Sequence, residues 1–300
     1  MAHFGLCIHK RKVKIMFLDA LTDTLIDSIK LLPFLFLTYL LMEYIEHKAG
    51  KKSEGIIKKS GKYGPIVGSI LGIFPQCGFS AAAANFYAGR IITLGTLFAI
   101  FLSTSDEMLP ILISEHVPAE MIIKILGTKI LIGMIFGFLV DAIVRKNGVK
   151  EEELKIDHMC DHEHCHCGEG KILKSACIHT AQVFVFIVVI SFMLNLLIGY
   201  VGQEKIGNFM TSVPAMGILL SGLIGMIPNC AASVVITQLY LGGLLSAGAM
   251  MTGLLVGSGI GLLVLFRVNE DYKENISILV SLYGIGIVCG FVIDLLKIVF

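Results

Sequence analysis

Pro75-Gln76-Cys77-Gly78-Phe79-Ser80 and Pro228-Asn229-Cys230-Ala231-Ala232-Ser233 are two versions of one polar word, each set between apolar runs. Both follow a run that ends in glycine (Gly72, Gly225), and the two prolines lie 153 positions apart, at 75 and 228. The same offset pairs Tyr87 with Tyr240, Gly89 with Gly242, Gly95 with Gly248, Ser105 with Ser258 and Asp141 with Asp294. It also pairs Gly137-Phe138 with Gly290-Phe291, without a gap. The chain reads as a duplication. Duplicated apolar segments with matching interruptions are the sequence pattern of a secondary transporter.

Composition agrees. The 300 residues are 55% hydrophobic and 16% charged, and a mean hydropathy of +0.83 lies outside the range of soluble domains. Apolar stretches recur at 31–45, 92–102, 121–140, 180–202, 244–266 and 276–296, most of them near the roughly 20 residues that cross a hydrocarbon core. The expectation is an all-α polytopic membrane protein, multi-pass in the cell (inner) membrane, with lipid as its surroundings. A net charge of +1 gives no reason to expect nucleic acid, and no Walker-type loop is present. Neither a nucleophile elbow nor a cofactor fingerprint occurs, so the chain reads as a non-enzyme that requires no cofactor. Lys10, Arg11, Lys12 and Lys14 precede an amphipathic stretch with Asp19, Asp23 and Asp27, and no small-residue cleavage site follows, so an uncleaved start is expected.

Four regions follow: a basic arm and interfacial helix over 1–28, transmembrane repeat 1 over 29–144, a His/Cys-rich linker over 145–176, and repeat 2 over 177–300. Each repeat holds one span, an interrupted pair around its polar word, a broken segment and a final span. The limbs of the first pair, 66–74 and 80–89, are too short to cross at 1.5 Å per residue. They could stack as one broken span or fold back; folding them into a re-entrant hairpin is favoured because it puts the Lys-rich loop 48–62, Arg90, Arg145, Lys146 and Arg267 on one side, and the acidic loop 115–120 opposite. It leaves the basic arm on the other side. Repeat 1 then crosses an odd number of times and repeat 2 must be inverted. The predicted fold is two inverted-topology repeats with broken, re-entrant helices and about ten membrane segments.

A break at membrane depth survives only where protein or a water-filled cavity satisfies the freed backbone groups. Pro75 and Pro228 each remove a donor, leaving Gln76, Cys77, Ser80, Asn229, Cys230 and Ser233 to face a solute. Thiols suit thiophilic species, although a buried cysteine also packs as a small hydrophobe. The second interruption offers Ser103, Thr104 and Ser105 to the same pathway, with Asp106 and Glu107 as candidate proton-coupling carboxylates; an interfacial loop is the other reading. Repeat 2 has Gly257-Ser258-Gly259 there, so Ser258 joins the pathway and the acids have no counterpart. Asp141 and Asp294 read as interface residues that cap or pair with a neighbour, as do Glu43, Glu46, Lys124 and Lys129. In the linker, His158, Cys160, His162, His164, Cys165, His166 and Cys167 are ligands of the kind Zn-like or Cu-like ions prefer, without spacing that defines a tetrahedron. A solvated loop with adventitious affinity is the alternative.

These words, with Leu31-Leu32-Pro33-Phe34-Leu35-Phe36-Leu37, Leu41-Met42-Glu43-Tyr44-Ile45-Glu46-His47 and Leu102-Ser103-Thr104-Ser105-Asp106-Glu107, resemble the ten-transmembrane heavy-metal (arsenic) efflux permease family. The resemblance implies ten segments, five per half, and export of arsenic or heavy-metal species, a small inorganic or organometallic substrate. The expected function is a secondary exporter of a thiophilic species, proton-coupled, with a midplane site at the two Pro-x-Cys breaks. The alternative is a membrane-anchored metal sensor or accessory subunit working through the linker. Deleting 157–168 separates the two.

Overall fold

The computed structural model describes residues 17–40 (except 19, 23, 27, 31, 34, 35 and 38), 61, 63–74, 77–105, 108–146, 172–201 and 216–300. The described residues of 17–40 are helical. Beyond them come α1 (Gly64–Leu71), α2 (Cys77–Ala88), α3 (Leu94–Ser103), α4 (Met108–Ser114), α5 (Ala119–Lys146) and α6 (Ile172–Val201). The second half continues with α7 (Gly217–Gly225), α8 (Cys230–Leu241), α9 (Ala247–Val256), α10 (Gly261–Val268) and α11 (Tyr272–Leu295). No strand occurs among the described residues. Helices α5 and α6 extend into the range read as linker, to Lys146 and from Ile172.

Five helical stretches among the described residues are long and apolar enough to cross a membrane. Two lie inside: 94–114 is 75% buried and 247–268 is 83% buried. Three lie outside: 119–146, 176–193 and 272–295 are 22%, 24% and 33% buried. Leu131, Ile135, Val185, Val189, Val280 and Val288 are exposed on those outer helices. So large an apolar surface would be an aggregation hazard in water and is the ordinary exterior of a protein dissolved in lipid. The chain is an all-α polytopic membrane protein.

Each half is built on a three-helix packet with the interior helix between two neighbours: α3 with α1 and α5, and α9 with α7 and α11. Glycine sets the spacing, because small residues let helix backbones approach closely where lipid supplies no hydrophobic drive. A Cβ on Gly137 would come within 2.7 Å of the Gly95 carbonyl oxygen, and a Cβ on Gly290 equally close to that of Gly248. The levels of contact give the directions. Gly64 faces Thr96 and Gly72 faces Ser103, so α1 and α3 run the same way; Gly133 lies at Ala99 and Gly137 at Gly95, so α5 runs back. Helix α2 starts at the far end of α3, with Ser80 and Phe101 both against Gly261, and 89–93 returns the chain to the start of α3. Thus α1 and α2 fold back as a hairpin, with Phe74 and Phe79 stacked 5.4 Å apart across its turn.

The caps repeat as well. Thr93 starts α3 by accepting from Thr96 N, and Ser246 starts α9 by accepting from Ala249 N. Asp141 accepts from Gly95 N at 2.8 Å and from the Thr93 hydroxyl at 2.9 Å. Asp294 accepts from Gly248 N at 2.7 Å and from the Ser246 hydroxyl at 2.6 Å. A carboxylate at a helix N-terminus answers both the orphan N–H groups and the positive end of the dipole. The two aspartates are therefore caps, one to each interior helix. Between halves the packing is reciprocal: α2 lies on α10, α8 lies on α4, and α3 meets α9.

Candidate functional site

Helix α3 stops at Ser103, where Thr104 turns to ψ 128° and its hydroxyl donates back to the Ile100 carbonyl at 2.7 Å. Helix α9 stops at Val256, with Gly257 at ψ 89° and Gly259 in the left-handed region at φ 55°. The two interruptions face one another. Between them lies a small cavity lined by Thr104 and Ser105 from the first half and by Asn229, Ser233, Leu254 and Gly257 from the second. Its free space holds about one water molecule. The lining is hydroxyl, amide and backbone, with alkyl groups from Ile227, Ala232 and Leu254.

Hydrogen bonds hold this wall in place. The Ser105 hydroxyl donates to the Ile73 carbonyl, tying the break after α3 to the end of the first hairpin limb. Asn229 donates through Nδ2 to Asn195 Oδ1 at 2.7 Å, and Asn195 donates to the Thr24 hydroxyl at 2.8 Å. This string crosses from the cavity through α6 to the helical residues of 17–40. Ser103 donates to Ala99 O at 2.7 Å, and Ser80 is fully buried. Ser258 differs from its copy. It is 1% exposed and its hydroxyl has no hydrogen-bond partner among the described residues, although Gly257 and Gly259 on either side line the cavity.

Of the residues expected to form the pathway, Thr104, Ser105, Asn229 and Ser233 share the cavity; Ser258 sits in sequence between the lining residues Gly257 and Gly259 without lining it, and Pro228 is in the turn leading into α8. Cys77 and Cys230 are the first residues of α2 and α8. Their side chains lie outside the described residues, as do Pro75, Gln76, Asp106 and Glu107. The linker ligands His158, Cys160, His162, His164, Cys165, His166 and Cys167 also lie outside them. Among the described residues no group of three or more His, Cys, Asp or Glu could hold a metal ion.

One expectation is corrected. Lys129 is not an interface residue like Lys124, which pairs with Glu120 on the exposed surface at 2.7 Å. It is fully buried, and its Nζ donates to the Leu254 carbonyl in the other half at 2.7 Å. A second feature had gone unread. Arg90, just before α3, donates to Glu274 Oε2 at 3.0 Å, and Glu274 also accepts from the Tyr87 hydroxyl and from Asn269 at 2.9 Å. Both features had a signal in the repeat: charge stands in one copy where the other has none, Arg90 against Gly243, Glu274 against Met121 and Lys129 against Leu282.

A family model described as "Putative, 10TM heavy-metal exporter" matches residues 13–197. That is more than half of the 300 residues, and the chain belongs to this family. The match takes in the first polar word, the 103–107 interruption and the linker, and ends within α6 before Pro228. No curated protein and no solved structure matches.

Proposed function

We propose that this member of the ten-span heavy-metal exporter family is a proton-coupled secondary transporter of the cell membrane. Its cargo is a thiophilic metal or metalloid species of arsenic or heavy-metal type. The cargo is held where the Pro-x-Cys breaks of the two halves converge. The observation that carries the reading is the cavity itself, in which Thr104 and Ser105 of one half meet Asn229 and Ser233 of the other. Polar groups from two interruptions around one hollow at membrane depth are what a broken-helix transporter uses to replace a solute's hydration. Ser258 adds support: its buried hydroxyl has no partner among the described residues, which costs about 1–3 kcal/mol, and a solute that opens the hollow between Gly257 and Gly259 would supply the missing bond.

Inversion of the halves has its own support. Arg90, before α3, bonds Glu274, after α10, so the span 94–114 begins at the face where the span 247–268 ends. Antiparallel interior spans are what an inverted repeat requires. The hollow is too small for a heavy-metal species with its ligands, so loading and release each need one side to part. Cys230, the first residue of the helix that lines the hollow with Ala232 and Ser233, and Cys77, at the matching position of α2, would supply soft ligands, and Asp106 and Glu107 would hand the coupling proton to and from water. The test is uptake into proteoliposomes or everted vesicles of arsenite, methylated arsenite, Zn²⁺, Cu⁺ and Ni²⁺, with and without a pH gradient. Wild type is expected to move at least one, and Cys77→Ser and Cys230→Ser to lose it. Equal transport by both variants would remove the thiols from the site.

A further inference from the structure

Lys129 and Asp141 are the buried charged side chains among the described residues. Asp141 is accounted for as the cap of α3, which leaves Lys129. Its side chain is 0% exposed, springs from α5 in the first half and reaches the Leu254 carbonyl of the second at 2.7 Å. Leu254 is in the last turn of α9, which ends at Val256 with Gly257 N bonded back to Gly253 O. The carbonyls of Leu254, Leu255 and Val256 therefore lose helical donors where the chain breaks. They form the negative end of a half-helix, and Leu254 also lines the cavity. In broken-helix transporters such carbonyl ends are where a co-transported cation is coordinated. Here a cation already stands on one, carried by a side chain of the opposite half.

Few charged residues belong to the described helices around Lys129. None of α1, α3, α4, α7, α8 or α9 contains Asp, Glu, Lys, Arg or His. On α5 itself, Lys124 and Glu120 pair at the exposed surface, and Asp141 lies towards the far end on the α3 N-terminus. Asp106 and Glu107, in the interruption after α3, are the acids beside this region in the chain and lie outside the described residues. The copy of Lys129 in the second half is Leu282, so the device is single.

We propose that the Lys129 ammonium is a tethered cation filling the ion site at the carbonyl end of α9, so that a proton carried on Lys129 takes the place of a co-transported Na⁺. The proposal rests on the exporter reading above. In the closed form the ammonium bridges the halves. When the cavity opens, the Nζ–H···O=C bond to Leu254 breaks, one N–H proton passes to water, and a neutral amine remains until it is protonated again from the other side. Lys129 is thus a positioning and coupling residue, not a ligand of the cargo.

The experiment uses the purified full chain in proteoliposomes with arsenite, methylated arsenite, Zn²⁺, Cu⁺ and Ni²⁺ as the probes. Wild type is expected to transport under a pH gradient equally in Na⁺, K⁺ and choline media. Lys129→Met should lose roughly tenfold of the gradient-driven rate while retaining exchange at equal pH, and Na⁺ or NH₄⁺ should stimulate that exchange. Lys129→Arg should fold and yet fail to respond to the gradient, because a guanidinium does not release its proton. A wild type that depends on Na⁺ overturns the proposal, as does full gradient-driven transport by Lys129→Met or Lys129→Arg. If Lys129→Met does not fold, judged by size-exclusion chromatography, the wild-type Na⁺ comparison and the arginine variant decide. A wild type that moves none of the probes removes the exporter reading and this proposal with it; Na⁺ dependence of a working exporter removes this proposal alone.

Discussion

Ser105 and Ser258 hold the same place in two copies of a broken span, and their hydroxyls meet different surroundings. Ser105 donates to Ile73, whereas Ser258 is buried without a partner among the described residues. Ser105→Ala is therefore expected to lower stability by about 1 kcal/mol. Ser258→Ala should leave stability unchanged or raise it while transport falls, and thermal unfolding in detergent alongside vesicle uptake checks both. A loss of stability in Ser258→Ala would show that its hydroxyl is already bonded. Glycines divide in the same way. Gly137→Ala and Gly290→Ala would push a methyl against the carbonyl oxygens of Gly95 and Gly248 and should cost about 1–3 kcal/mol. Gly127→Ala and Gly284→Ala meet nothing within 4 Å and should be neutral or mildly stabilising. Ser258 could be read from the 153-residue offset because small polar residues at a break are rare in such a chain. For Lys129 the repeat offered only the mismatch with Leu282, not the direction of the side chain: a lysine ten residues inside a helix that starts at Ala119 looks the same in sequence whether it snorkels to the interface or points inward.

At the scale of elements, each long outer helix starts its interior neighbour: Asp141 on α5 caps α3, and Asp294 on α11 caps α9. Asp141→Ala would strand the Gly95 N–H in a tightly packed crossing and is expected to destabilise by about 1–3 kcal/mol. Asp141→Asn, which keeps one acceptor oxygen, should recover part of that loss, and melting temperature is the readout. Existence and breakage of the helices were legible because proline and runs of polar residues interrupt apolar stretches. The hairpin was legible from length and loop charge together: neither limb could cross, and folding them back gathered the basic loops on one side. Register was not. It comes from glycines four apart, Gly64 and Gly68 on α1 and Gly72 capping it, against Gly133 and Gly137 on α5, with α3 between them. Such spacing tells where a backbone can come close, but not which neighbour it meets.

For the molecule as a whole, the described residues of the two halves join through reciprocal helix pairs, the Lys129–Leu254 bond and a cluster of polar bonds around Glu274. A double-mutant cycle on Arg90→Gln and Glu274→Gln should return a coupling of about 1–2 kcal/mol, read from unfolding midpoints. Additive effects would mean the pair contributes nothing to the joint. Deleting residues 157–168 should keep at least partial efflux, because the described lining of the cavity comes from the two helical halves. Arg90 and Gly243 share a left-handed backbone, φ 58° and 70°, in the two equivalent turns. Only glycine adopts it without strain, so the arginine is kept there by the Glu274 bonds and by its guanidinium lying 4.9 Å over the Tyr87 ring. The turn at Gly243 has no side chain and no neighbour within 4 Å of where one would begin. One elbow of the duplicated frame is buckled to the opposite half by a side chain, whereas the other has, among the described residues, only its own backbone bonds to hold it, so an otherwise even-handed architecture is clasped at one of its two corners.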